Sequence, residues 1–164
     1  KETMSILCPS AKVYEDPRLA EAQRGIYHTM TKKEVEERFP EESARKRREG
    51  LYHYRPIGGE NWPDVELRIH SFLGTLSRDC EGQKVLIVVH NNWLNLFHRL
   101  IHHYSIEEAL GKYNRGGFEN ASVTAYRCDV INGAKKLVME SENLVPWRMS
   151  EALALVRSRV RGVE

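Results

Sequence analysis

His90 closes an unbroken run of five branched apolar residues, Val85–Val89, and an amphipathic stretch starts directly behind it. An imidazole between a strand end and a helix start stands where open α/β sheets bind their ligands. Asn91 and Asn92 follow, and the backbone N–H groups of a first helical turn have no intrahelical acceptors. With the helix dipole behind them they favour an anion, a phosphate above all. A cationic or N–H-donating imidazole adds a charge-assisted contact. The plainer alternative is a histidine that ends the strand and hydrogen-bonds to backbone.

Three other clusters invite chemistry. His98, His102 and His103 include an i, i+4 pair, but no glutamate stands in the HExxH place and no third ligand is evident. They read as a polar helix face. Arg45-Lys46-Arg47-Arg48 has Glu41, Glu42 and Glu49 nearby and reads as a solvated helical face. Cys8, Cys80 and Cys128 are odd in number, far apart and without a CxxC pair, which favours a reducing compartment.

These residues need elements to hold them. Five branched apolar residues in a row, without alternation, predict a strand at Lys84–Val89 covered on both faces, hence a parallel sheet. Trp93, Phe97, Leu100, Ile101 and Tyr104 are spaced for the helix that follows. Val65, Ile69, Phe72, Leu73 and Leu76 mark another helix, which Asn61 caps, with Pro63 and Asp64 in its first turn. Thr31 and Glu34 form a capping box for a short helix that Pro40 stops. A charged helical stretch spans Glu41–Glu49, and Gly50 to Gly59 reads as loop. Met4–Cys8 and Ala11–Tyr14 could supply an early strand, and Arg157, Arg159 and Arg161 a solvated tail or last helix. Asn132-Gly133, between Ala121–Arg127 and Lys135–Met139, predicts a hairpin. The class is α/β, with a parallel core strand and an antiparallel hairpin at an edge.

The 164 residues fit one domain, spanning 1–164, large enough to bury a core without disulfides or metal. A net charge of +2 is too small to argue for nucleic acid or an acidic membrane as partner. A hydrophobic content of 41% with 29% charged residues excludes a disordered chain. No apolar run approaches the ~20 residues of a membrane span, and no apolar signal segment opens the chain. The expected setting is intracellular, in the cytoplasm.

Four segments in order carry a family resemblance. Leu19-Ala20-Glu21-Ala22-Gln23-Arg24-Gly25 resembles the LxExxxG segment of the histidine phosphatase superfamily, whose fold is phosphoglycerate-mutase-like. Tyr54-Arg55-Pro56-Ile57-Gly58-Gly59-Glu60-Asn61, with Asp64-Val65 and Arg68, is similar to its RPxGGES…DV…R stretch. Val85–His90 resembles the strand leading to its second active-site histidine, and Asn120-Ala121-Ser122-Val123-Thr124 its NASVT-like segment. The set covers most of residues 11–127.

The resemblance implies a three-layer sandwich around a mainly parallel sheet, and a phosphomonoester hydrolase working through a phosphohistidine. Glu21 would be the acid that protonates the leaving oxygen, and His90 the second histidine, holding phosphoryl oxygens. Asn91, Asn92 and Arg55 would bind phosphate or substrate. The family usually has glycine after that histidine. Asn91 tolerates positive φ better than most residues, yet its side chain narrows the pocket. No Arg-His-Gly, the family's nucleophile motif, occurs in the 164 residues. Lys1-Glu2-Thr3-Met4 resembles a later part of the family's pattern, so the nucleophile and an N-terminal strand–helix unit are expected outside this chain. As it stands, the chain would be inactive. A second reading is a pseudo-phosphatase, a scaffold or complex subunit without the nucleophile. A third is a phosphoglycerate-mutase-type phosphotransferase, whose longer insert has no counterpart between Glu21 and Gly58. The expected partner is a small phosphorylated substrate or a phosphoprotein, with homodimers or a larger complex allowed. No metal or organic cofactor is implied.

Overall fold

Local capping fixes where most helices begin. In the computed structural model, which describes residues 12–146 and 148, Thr31 and Glu34 close a capping box that starts α1, Lys32–Arg38. Pro40 ends α1 but also opens α2, Pro40–His53, because a missing N–H costs nothing in a first turn. Asn61 and Asp64 form the box that starts α3, Trp62–Asp79. His90 precedes α4, Asn91–His102. Ser105 and Glu108 start α5, Ile106–Asn114, a helix that the sequence reading passed over. Two single 3₁₀ turns, Pro17–Leu19 and Gly25–Tyr27, precede α1.

The described residues fall into two compact units that divide after Gly117. The first is built on aromatic packing. Trp93 is 1% exposed, stacks on Phe97 at 5.5 Å and meets Phe72 edge-on at 6.0 Å. Trp62 lies edge-on to Tyr52 at 6.1 Å and to Tyr113 at 5.2 Å. The predicted stripe on α3 is buried at Val65, Ile69 and Phe72. Glu66 shares that burial because the Tyr52 hydroxyl donates to it at 2.8 Å and Arg99 pairs with it at 2.9 Å. α2 runs past a kink at Gly50 (φ 77°) to His53, four residues into the predicted loop. Gly50 thus breaks the helical backbone as expected, and Tyr52 and Tyr54 beyond it are buried, each hydroxyl bonded to a carboxylate.

The second unit is a two-stranded antiparallel sheet of β1, Val123–Ile131, and β2, Ala134–Leu144. Ile131 pairs with Ala134 around Asn132 and Gly133, both at positive φ, as the Asn-Gly pair predicts. Glu119 N–H donates to Asn143 Oδ1 at 2.8 Å, and Glu119 pairs with Arg148 at 2.7 Å.

The expected parallel strand at Lys84–Val89 is not formed among the described residues. The segment is without regular structure, with Val85 46% and Leu86 51% exposed. A parallel strand exists only where neighbouring strands take its N–H and C=O groups and helices cover its faces. The only sheet among the described residues is the hairpin, so the three-layer arrangement has no central sheet here. Residues 12–14 also carry no strand and are exposed. Met4–Cys8 and Arg157, Arg159 and Arg161 lie outside the described residues. No described helix is long and apolar enough to cross a membrane.

Candidate functional site

Glu21 sits in a segment that is neither helix nor strand, so other groups must fix it. Arg18 is the anchor. The Trp93 indole donates to its carbonyl at 2.8 Å, and Arg68 Nη1 donates to the same oxygen at 2.7 Å. One carbonyl, three residues before Glu21, thus joins α3 and the first turn of α4 to the segment. Arg68 Nη1 also reaches the Ala20 carbonyl at 3.1 Å. Beyond Glu21, the Gln23 carbonyl accepts from Glu60 N–H at 2.9 Å, and the Ile57 carbonyl accepts from Ile26 N–H at 3.1 Å. This approach requires glycine on both sides. A Cβ on Gly25 would lie 1.9 Å from the Ile57 oxygen, and one on Gly59 2.4 Å from the Gln23 oxygen.

Glu21 itself is half-buried, and its Oε1 accepts from Ala22 N–H at 2.8 Å. Its charge acts on Tyr113 of α5. Burial first, then the Glu21 carboxylate, pushes the Tyr113 phenol above its ordinary range. The Trp62 ring meets the Tyr113 ring edge-on at 5.2 Å.

His90 is exposed and extended (φ −100°, ψ 165°), and it caps α4 without a side-chain hydrogen bond to the helix. Its imidazole is left to other partners. Asn91 is the first residue of α4 and takes no positive φ, contrary to the turn expected there. Its amide instead donates to the Gly116 carbonyl at 3.3 Å, and a Cβ on Gly117 would fall 2.4 Å from its Oδ1. Asn91 thus fastens the loop after α5 beside His90. Asn92 is half-buried, and its Oδ1 has no hydrogen-bond partner among the described residues. Arg55 is exposed and pairs with Asp64 at 2.6 Å, in the first turn of α3. Its charge also helps to hold Glu60 ionised.

The structure therefore links the segment of Glu21 to the helix that His90 caps, through Trp93 and Arg18. Asn91 joins that helix start to the Gly116 carbonyl, two residues after α5, the helix that carries Tyr113. Arg55 is tied by its described hydrogen bonds to Asp64 and Arg45 rather than to this group. Tyr113 was missed. The Ser105 and Glu108 capping box could have revealed its helix, but nothing in the sequence marks the phenol.

The polar helix face expected of the histidine cluster is buried at His98 and exposed at His103. His98 is fully buried, with its Nδ1 3.1 Å from Lys112 Nζ and its ring against His102. Among the described residues no three His, Cys, Asp or Glu side chains group as a metal site. Arg45 is paired with Glu42 and Glu49, while Arg47 and Arg48 are exposed, as the charge pattern predicts.

Glu21 is half-buried in a segment whose Arg18 carbonyl accepts from Trp93, in the first turn of the helix that His90 caps. The sequence model of the histidine phosphatase superfamily (branch 1) matches residues 1–140. The chain belongs to that superfamily. Among solved structures, YhfR of Bacillus stearothermophilus is similar at 24% identity and a TM-score of 0.69, over 88% of this chain and 68% of that one. The alpha-ribazole phosphatase of Shigella flexneri is similar at 20% identity and a TM-score of 0.68, over 87% and 68%. The mycobacterial glucosyl-3-phosphoglycerate phosphatase Rv2419c in complex with VO3 follows at 20% identity and a TM-score of 0.59, over 79% and 64%. The chain thus spans about two thirds of the length of each. No curated protein matches it in sequence. The superfamily supports a phosphatase-like function and an α/β fold.

Proposed function

We propose that the complete protein is a phosphomonoester hydrolase that forms a phosphohistidine, with the nucleophilic histidine supplied by residues outside these 164. Glu21 gives its proton to the leaving oxygen as the P–O bond breaks. His90 and the N–H groups at the start of α4 hold the phosphoryl oxygens, with Asn92 beside them. The single observation that carries the reading is the Arg18 carbonyl, which brings the Glu21 segment and the His90 helix to one point through Trp93 and Arg68. The exposed apolar residues Val85, Leu86 and Val88 support the rest. In the complete fold this run becomes an interior parallel strand of a three-layer sandwich, beside the strand that bears the nucleophile. The substrate is a small phosphorylated molecule or a phosphoprotein. Cys80 and Cys128 are free thiols, which suits a protein kept inside the cell, in the cytoplasm.

The test is hydrolysis of an aryl phosphate by the full-length protein and by residues 1–164 alone. The full-length protein should turn over. Glu21→Gln and His90→Ala should each lower the rate by ~10²-fold or more. The 164 residues alone should be inactive. Turnover by the short chain would refute the assignment of roles. A full-length protein that binds phosphate without turnover would instead be a scaffold or complex subunit that has lost the chemistry.

A further inference from the structure

Glu21 has no secondary structure of its own to hold it, yet its acid role demands a fixed reach. The groups that fix it converge on one side chain. Arg68, on α3, donates Nε to Glu60 Oε1 at 2.7 Å and Nη2 to Glu60 Oε2 at 2.9 Å, a bidentate fork. Its remaining donor, Nη1, spans the Arg18 and Ala20 carbonyls at 2.7 and 3.1 Å. Glu60 Oε2 in turn accepts from the Gln23 N–H at 3.0 Å. Residues 18, 20 and 23 flank Glu21, and all three backbone groups end on one ion pair. Both partners keep only 21% of their side-chain surface exposed, so solvent screens the pair far less than a surface salt bridge.

We propose that Arg68, seated by Glu60, is a positioning residue that sets where the Glu21 carboxyl meets the leaving group. The inference rests on the reading of Glu21 as the proton donor. Arginine is required by geometry, because three donor directions are used at once. A lysine ammonium on a flexible stem is a point charge that cannot hold the planar fork and the two carbonyls together.

The test uses the full-length protein and two aryl phosphates, one with a leaving group that needs a proton (phenyl phosphate) and one that does not (2,4-dinitrophenyl phosphate). The readout is kcat/KM, which reports the step in which the P–O bond breaks. Glu21→Gln is the reference and should lose ~10²-fold on phenyl phosphate while changing little on the dinitrophenyl ester. Arg68→Lys and Arg68→Met should show the same selectivity, at least ~10-fold on phenyl phosphate against less than about 3-fold on the other, since small misplacement of a catalytic group costs rates of this order. Glu60→Gln should show it more weakly. If Arg68→Met does not fold, as judged by its thermal transition, Arg68→Lys and Glu60→Gln decide the matter. Equal losses on both esters, or none, beside a selective Glu21→Gln would overturn the proposal and leave the acid role standing. A Glu21→Gln enzyme without selectivity would remove the acid role, and the positioning role with it.

Discussion

Replacing Trp93 by phenylalanine should weaken the fold and loosen the site together. Phenylalanine keeps an aromatic face for Phe97 and Phe72, but it loses the donor to the Arg18 carbonyl. It also gives up about 40 Å² of buried apolar surface, or about 1 kcal/mol at ~25 cal/mol per Å². The lost hydrogen bond adds only ~0.5–1.5 kcal/mol, because Arg68 Nη1 still satisfies that carbonyl. Incomplete closure of the space left behind raises the cost somewhat. The expected total is about 2–3 kcal/mol, read from the denaturant midpoint at an unchanged m value. A double-mutant cycle isolates the shared carbonyl. Arg68→Met together with Trp93→Phe removes both donors, so the pair should cost more than the sum of the singles by roughly 1 kcal/mol, the penalty of an orphaned acceptor. Additivity within ~0.3 kcal/mol would refute the reasoning, since one carbonyl could not then be the joint between α3, α4 and the Glu21 segment.

Further outcomes follow from the same contacts. Asn61→Ala removes the side-chain arm of the α3 capping box, the 3.0 Å bond that Asn61 Oδ1 accepts from Asp64 N–H, and should cost about 1 kcal/mol in equilibrium unfolding. Gly59→Ala drives a Cβ to 2.4 Å from the Gln23 carbonyl and should cost about 1–3 kcal/mol and lower aryl phosphatase activity. Gly74→Ala, exposed on α3 with nothing within 4 Å, should instead add ~0.5–1 kcal/mol, the comparison that separates crowding from substitution as such. Burial, then hydrogen bonding to Glu66 and Glu42, pushes the Tyr52 and Tyr54 phenols up to about 12. A raised phenol stabilises the fold below the unfolded value of about 10, and that contribution disappears as pH rises from there through about 12. Absorbance titration of the folded protein that shows both phenols ionising near their ordinary value would contradict this.

Capping chemistry was the most legible part of the sequence. Thr31 with Glu34, and Asn61 with Asp64, mark helix starts by local hydrogen bonds that depend on nothing distant. The Asn132-Gly133 turn belongs to the same class, since positive φ is settled by residue type. Val85–Val89 shows the opposite limit. Its composition states what a strand wants but cannot state whether partners are present, and among the described residues they are not. His98 was misread because helical spacing places a residue on a face without saying which face is covered. The loop expected from Gly50 onward begins with a true break at Gly50 (φ 77°), after which Leu51–His53 add one further turn. At the site, Glu21 came from resemblance alone, since an acid in an irregular segment has no periodicity to mark it. Arg68 matched a motif, yet its grip on residues 18, 20 and 23 through space was invisible until the chain was folded. Tyr113 had no local signal at all.

Under the proposed function, the full-length protein takes the phosphoryl group of an ester onto a histidine while Glu21 supplies the proton. The most direct measurement is a rapid acid-free quench of the full-length protein with an aryl phosphate, followed by mass spectrometry of its peptides. A phosphoryl group is expected on one histidine that lies outside these 164 residues. Label should form in the wild type and form slowly in Glu21→Gln when the leaving group needs a proton. Steady turnover with no phosphorylated histidine at any time, or label on His90 itself, would contradict it.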